Sequence, residues 1–271
     1  MHMKKRLPHG ILLLGCGKMG SAMLQGWLNE GLDREKIWVI DPQPSKWLKS
    51  VGVNLNEDFP MTVTLVLIAV KPQVMQEALS QLLPLTRDGV VFLSVAAGIS
   101  LKTYEDILGS SSSIIRAMPN TPAAIGRGIS ALIGNNAATE NCIDLCEMLL
   151  GTIGQTVRLE TENQMDAVTG ISGSGPAYVF YMIDALAAAG RRQGLSENLS
   201  MMLAKATVSG AAALAFQGSE TPEQLRINVT SHNGTTQAGL EALMNQETGL
   251  FPLIYETVSR AADRSRELSN A

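Results

Sequence analysis

Cysteine, histidine and charge are all scarce in this chain. Its 271 residues include three cysteines and three histidines, and 17% are Asp, Glu, Lys or Arg. Three cysteines, an odd number without framework spacing, build no disulfide scaffold and fit a reducing compartment. Cys142 and Cys146 stand one helical turn apart, but no second ligand pair lies near them, so helix packing accounts for both and no metal is expected. With His2 and His9 in an N-terminal extension, His232 is the one plausible histidine for proton transfer. A net charge of −4 gives no electrostatic reason to expect nucleic acid. No apolar run approaches the roughly 18–20 residues of a membrane span, because Asp184 and Lys205 interrupt the two most apolar helical stretches. The basic start, Met1 to Gly10, lacks the apolar core of a secretion signal. A cytoplasmic globular protein is expected, long enough for two domains at about 100–200 residues each.

What the chain does have is an organising stretch near its start. Ile11-Leu12-Leu13-Leu14 reads as a buried parallel strand, followed by Gly15-Cys16-Gly17-Lys18-Met19-Gly20 and then Ser21 to Leu28 at helical spacing. Strand, G-x-G-x-x-G turn and helix together make the dinucleotide-binding fingerprint. Gly15 permits the tight turn, Gly17 lets backbone approach a pyrophosphate, and Gly20 lets the helix lie on the strand. The helix N-terminus then offers free N–H groups and a positive dipole end to the phosphates. A second strand, Lys36 to Asp41, ends in an acid where the fingerprint places a ribose ligand. Asp41 favours NADH through the 2′-hydroxyl, although Ser45 and Lys46 stand close enough in sequence to receive a phosphate. A turn-capping role for Asp41 before Pro42 is the alternative.

Further apolar strands follow at Val63–Val70, Val90–Gly98, Ser113–Pro119 and Gly128–Ile133, then a helix from Glu140 to Leu150 and a strand from Gln155 to Leu159. Pro72 is expected to stop one strand and open a helix. From Thr161 strand patterns vanish. Tyr178–Ala189 and Leu199–Phe216 read as helices apolar on most faces, the second opened by a Ser196 cap and closed by Gly218. A helical domain of this size is too small to bury both alone, so a homodimer interface is expected there. The fold class is therefore α/β: a Rossmann-type, doubly wound, mostly parallel sheet over residues 1–160, then an all-helical dimerisation domain over 161–271.

Two more segments complete a pattern: Asp166 to Tyr178, containing Ser172-Gly173-Ser174-Gly175-Pro176-Ala177-Tyr178, and Leu225 to Leu240, containing Ser231-His232-Asn233-Gly234-Thr235-Thr236. With Ala69-Val70-Lys71-Pro72, Ser94 to Gly98 and Arg116 to Pro122, they make the chain closely resemble the pyrroline-5-carboxylate reductase family, in register from Ile11 to Leu268. The resemblance implies reduction of a cyclic imine to L-proline by NADH or NADPH, in homodimers that this family often assembles into rings. It carries cofactor contacts onto Gly15, Gly17, Lys18, Met19, Gly20, Asn56, Ala69, Lys71, Pro72 and Ala97, with Asn228 facing the nicotinamide end. Glu162 matches an acidic position near the substrate. The loop 231–236 opens a helix from Thr235 to Leu243 and suits the substrate's carboxylate. Thr236 is expected at the imine nitrogen as the catalytic contact, with Ser231, Gly234 and Thr235 holding the carboxylate.

The chain departs from the family where Ser-Pro-Gly-Gly-x-Thr is usual. His232 replaces the proline and Asn233 a glycine, at a position suited to positive φ, which asparagine tolerates. Ile227 stands where aspartate is common. These departures motivate one alternative, a catalytically weak nucleotide-binding paralogue. A β-hydroxyacid dehydrogenase is the other, but such enzymes use a lysine on the first helix of the second domain, and Tyr178–Ala189 has none.

Overall fold

The computed structural model describes residues 2–86 and 89–269; Met1, the first residue of the basic start, lies outside them. The backbone forms two compact units, Met1–Gly173 with Ala261–Ala271, and Ser174–Arg260. The boundary suggested by the change in sequence texture, 160/161, therefore differs from the structural one. Residues 161–173 and the chain's last turns pack with the first unit, because polar side chains in both are tied to it, as described below.

Eight strands among the described residues form the first unit's sheet: β1 Ile11–Leu14, β2 Ile37–Ile40, β3 Asn54–Leu55, β4 Leu65–Ile68, β5 Val91–Ser94, β6 Ser113–Met118, β7 Gly128–Gly134 and β8 Gly154–Arg158. Their order is β3-β2-β1-β4-β5-β6-β7-β8. All pairs are parallel except β6–β7. The exception follows from the Pro119–Arg127 connection, which is too short for a crossover helix. β3, only two residues long, carries too little pattern to be read from sequence.

Helices of the first unit are α1 His2–Arg6, α2 Lys18–Asn29, α3 Lys46–Ser50, α4 Met75–Ser80, α5 Leu101–Leu108, α6 Glu140–Leu150 and α7 Gln164–Val168. Successive side chains of a strand point to opposite faces, and both faces here are covered. Leu13, Val39, Leu67 and Leu93 pack with Trp27 of α2 and Leu149 of α6; Leu14, Ile68 and Phe92 pack with Leu79 of α4 and Tyr104 of α5. That is why the strands read as unbroken apolar runs: each buried Leu, Ile or Phe contributes about 1.5–3 kcal/mol on either side. The indole of Trp27 meets its polar obligation by donating to the Leu149 carbonyl at 3.0 Å. Pro72 opens a 3₁₀ turn, Pro72–Val74, directly after β4.

After α7 the chain widens into a π-helical turn, Thr169–Gly173. Thr169 and Ser172 bond back to the carbonyls of Met165 and Val168, and Asn120 donates to the Ser172 carbonyl at 3.1 Å. Such side-chain competition for helix carbonyls loosens the regular ladder.

The second unit is helical: α8 Gly175–Arg192, α9 Glu197–Gln217, α10 Pro222–Asn228, α11 Thr235–Leu243 and the first half of α12 Leu250–Ser269. Ser196 caps α9 through the Leu199 amide and Gly218 ends it. With a mean hydropathy of 1.5, α9 is long and apolar enough by composition to cross a membrane, and Lys205 does not prevent that. Phe180, Tyr181, Met202 and Phe216 are all more than half exposed. Tyr104, by contrast, is fully buried, and burial pushes its phenol up to about 12, against a lowering hydrogen bond from Ser94.

An unfolded tyrosine ionises near pH 10 while Tyr104 stays neutral to about 12, so its contribution is complete below pH 10 and lost as pH rises to 12. Denaturant titrations are expected to lose about 2–3 kcal/mol across that window from this group alone, and Tyr104→Phe to lose correspondingly less.

Candidate functional site

The expected cofactor residues of the first unit gather along the carboxyl edge of the sheet, where parallel α/β folds bind ligands. The ladder continues just past the strands and holds their ends level. Gly15 N–H donates to Ile40 O at 2.8 Å, Ala69 N–H to Leu14 O at 2.8 Å, Asn56 N–H to Val39 O at 2.9 Å and Val95 N–H to Ile68 O at 3.0 Å. Strand order reverses between β1 and β4, so Gly15–Gly20 and Ala69–Pro72 flank the switch point. Ala97 lies exposed beyond β5, and Lys71 and Pro72 are exposed beyond β4.

The glycine turn fits a dinucleotide on geometric grounds. Gly15 has φ +83, and a methyl there would meet the Ala69 carbonyl oxygen at 2.9 Å. A methyl on Gly20 would lie 2.9 Å from the Gly15 oxygen, so α2 approaches β1 as closely as backbone permits. Gly17 is the opposite case: exposed, with nothing within 4 Å of an added methyl. No side chain caps α2 at Gly17, so the amides at Lys18 and Met19 open onto that space as an anion cradle.

Asp41 is buried at the end of β2, its Oδ2 accepting from Cys16 N–H and its Oδ1 from Gln43 N–H, both at 2.8 Å. Asp41 thus caps its own turn and braces the glycine turn with the same carboxylate, and each oxygen keeps a lone pair for a ribose hydroxyl. Asn56, at φ 54, pairs with Asp41 through both ends of its amide, to the Asp41 N–H and carbonyl at 2.9 Å each. A cleft beside them is lined by Ile40, Asn56, Glu57, Asp58, Phe59, Met61 and Pro84. Ser45, offered above as a phosphate ligand, has its hydroxyl engaged in capping α3.

Glu162 also lies in the first unit. Its Oε1 accepts from Arg116 Nη1 at 2.6 Å and from the Leu101 amide at 2.8 Å. Sequence reasoning missed Arg116: a charged residue inside an apolar strand, 4% exposed, is the signal that a buried partner exists.

The remaining expected residues belong to the second unit. Ser231, Thr235 and Thr236 are exposed around the start of α11, whose N-cap, Gly234, has no side-chain cap. Its amides therefore face solvent beside three hydroxyls. A methyl on Gly234 would lie 2.3 Å from Ser231 Oγ, so the hydroxyl occupies the place a side chain would take. Asn233 has φ 56, as expected, and its N–H donates to Gln237 Oε1 at 2.7 Å. Asn228, on α10, donates to Glu220 and accepts from Gln224, each at 2.8 Å. His232 is exposed.

The switch point, the glycine turn and the Asp41 brace define a dinucleotide-binding protein of the Rossmann class. Comparison with known proteins narrows this. Residues 10–98 match the family model described as NADP oxidoreductase coenzyme F420-dependent, and residues 162–268 match pyrroline-5-carboxylate reductase dimerisation. The pyrroline-5-carboxylate reductase of Pisum sativum is 38% identical, with 94% of each chain aligned, and that of Pseudomonas aeruginosa 34% identical, with 96% of each aligned. A pyrroline-5-carboxylate reductase structure from Coxiella burnetii superposes with a TM-score of 0.89 at 30% identity, covering 96% of this chain and 98% of that one. One from Plasmodium falciparum, with NADP bound, gives 0.84 at 26%, with the same coverage. The chain belongs to the pyrroline-5-carboxylate reductase family.

Gly17 is extended, φ −68 and ψ −155, so Gly17→Ala is expected to leave thermal stability within about 0.5 kcal/mol of the parent. Its methyl enters the cradle, and NADH affinity measured by fluorescence titration is expected to fall at least about tenfold. Gly20→Ala, pressed against a carbonyl, is expected to lower stability as well, by about 1–3 kcal/mol.

Proposed function

We infer that the chain reduces 1-pyrroline-5-carboxylate to L-proline, drawing on NADH or NADPH. The observation that carries this reading is the presence in one family member of an open glycine cradle and an uncapped hydroxyl turn. One suits a pyrophosphate, the other a small carboxylate. Reduction of the imine adds hydride at carbon and a proton at nitrogen. When bound, the reduced nicotinamide supplies the hydride.

The chain's own residues do the rest. The amides opening α2 take the pyrophosphate, with Gly15, Gly17, Lys18, Met19 and Gly20 forming the cradle. Asp41 and Asn56 receive the adenosine ribose, and Ala69, Lys71, Pro72 and Ala97 border the nicotinamide half. Ser231, Gly234 and Thr235 hold the substrate carboxylate on the α11 amides. Thr236 hydrogen-bonds the imine nitrogen, where charge changes during reduction, and Asn228 stands at the nicotinamide end. Asn233 supports an active enzyme over a weak paralogue: at φ 56 it takes up the backbone conformation that glycine favours.

Asp41, Glu57 and Asp58 put negative charge around the ends of β2 and β3, which disfavours a 2′-phosphate, so NADH is the expected better donor. Phe180, Tyr181, Met202 and Phe216 suit a second copy of the helical unit. A homodimer would cover these side chains, rings of dimers are a further level that the family resemblance suggests, and the cytoplasm is the proposed location.

Initial rates with the imine test this directly. Turnover is expected with both cofactors, with kcat/KM higher for NADH, and Thr236→Ala is expected to lose about 1–3 kcal/mol of transition-state stabilisation. No oxidation of either cofactor would remove the reading. Sedimentation is expected to give a dimer or a multiple of it without detergent; a monomer would leave α9 in need of another cover.

A further inference from the structure

The resemblance assigns Glu162 to the substrate, but its surroundings assign it elsewhere. Arg116 is buried on β6, where register sets it beside Ser94 of β5. A guanidinium taken out of water requires a paired carboxylate, and Glu162 supplies it at 2.6 Å. The same carboxylate oxygen accepts the first amide of α5, at Leu101, 2.8 Å away. The helix N-terminus favours negative charge there.

Between Ser94 and Leu101 runs the turn Val95–Ser100, which carries exposed Ala97. Its start is held by Ser94, 2.5 Å from the Tyr104 hydroxyl, and its end by the Glu162 bond to Leu101. A third restraint comes from the end of α12: a methyl on Gly98 would lie 3.2 Å from Leu268 Cβ. That end of α12 is itself fastened by Ser265, which donates to Asp166 Oδ1 at 2.6 Å. Glu162 and Asp166, four residues apart, thus hold the turn from two sides, Glu162 directly and Asp166 through the end of α12.

We propose that Glu162, with Asp166, is a positioning residue that sets the Val95–Ser100 turn against the nicotinamide half of the cofactor, and that it does not contact the imine. The inference rests on the reading that Ala97 borders the cofactor.

The test measures NADH dissociation by fluorescence without imine, then KM for imine and kcat, on Glu162→Ala, Glu162→Gln and Asp166→Ala. Glu162→Ala leaves Arg116 and the Leu101 amide unpaired, and NADH is expected to bind about tenfold more weakly, while KM for imine changes less than about twofold. Glu162→Gln keeps an acceptor for the Leu101 amide and is expected to restore part of the loss. Asp166→Ala removes the oxygen that accepts from Ser265 and is expected to weaken NADH binding in the same direction, and it covers the case in which Glu162→Ala fails to fold. An unchanged NADH dissociation constant with a raised KM for imine would return Glu162 to the substrate and overturn the proposal. A lower melting temperature with both constants unchanged would overturn it as well. Should the parent bind NADH yet never reduce the imine, the proposed function falls, while the NADH titration still decides the role of Glu162.

Discussion

The structure depends on how closely α2 lies against the end of β1. At Gly20 the backbone of α2 meets the Gly15 carbonyl, and at Gly15 the end of β1 meets the Ala69 carbonyl beyond β4, with no room for a side chain at either, and the first amides of α2 open past Gly17 into free space. A methyl on Gly20 pushes the helix off the strand, and one on Gly15 pushes the turn off the Ala69 carbonyl. The ladder bonds that level β1, β2, β4 and β5 at their carboxyl ends then bring the first-unit residues proposed for the cofactor to one edge. Position along the sheet, more than any single side chain, makes that edge a binding surface.

Two buried charges reinforce it. Asp41 satisfies its carboxylate on the Cys16 and Gln43 amides, and Arg116 satisfies its guanidinium on Glu162. Neither is a surface ion pair of negligible worth: each is desolvated, and removing one partner would strand the other. Each also fastens a turn at the carboxyl edge of the sheet, the glycine turn in one case and Val95–Ser100 in the other. Polar groups that look structural thereby set the turns proposed to meet the cofactor.

Much of this was legible in the sequence. Unbroken apolar runs announced doubly covered parallel strands, and the glycine spacing announced the cradle. Ser196, Gly218 and Pro72 marked helix ends that the structure keeps. Positive φ at Asn233 followed from the glycine it replaces. What stayed hidden was long-range pairing. The antiparallel β7 follows from the length of a connection, and β3 is too short to carry a period. The attachment of residues 161–173 and of the last turns of α12 to the first unit rests on Arg116–Glu162 and Asp166–Ser265, pairs 46 and 99 residues apart. No local pattern encodes such partners. The exposed apolar faces of α8 and α9 were legible as an anomaly of composition, and the match of residues 162–268 to a dimerisation domain gives them their context.

If the cradle on the sheet edge serves a hydride donor and the hydroxyl turn a cyclic imine, hydride passes from one to the other. The most direct test is isotopic: the imine is incubated with NADH carrying deuterium at the transferred C4 position, and the product is weighed by mass spectrometry. Proline one mass unit heavier is expected, with the label at the former imine carbon. Unlabelled proline, or no proline while NADH remains bound, would contradict it.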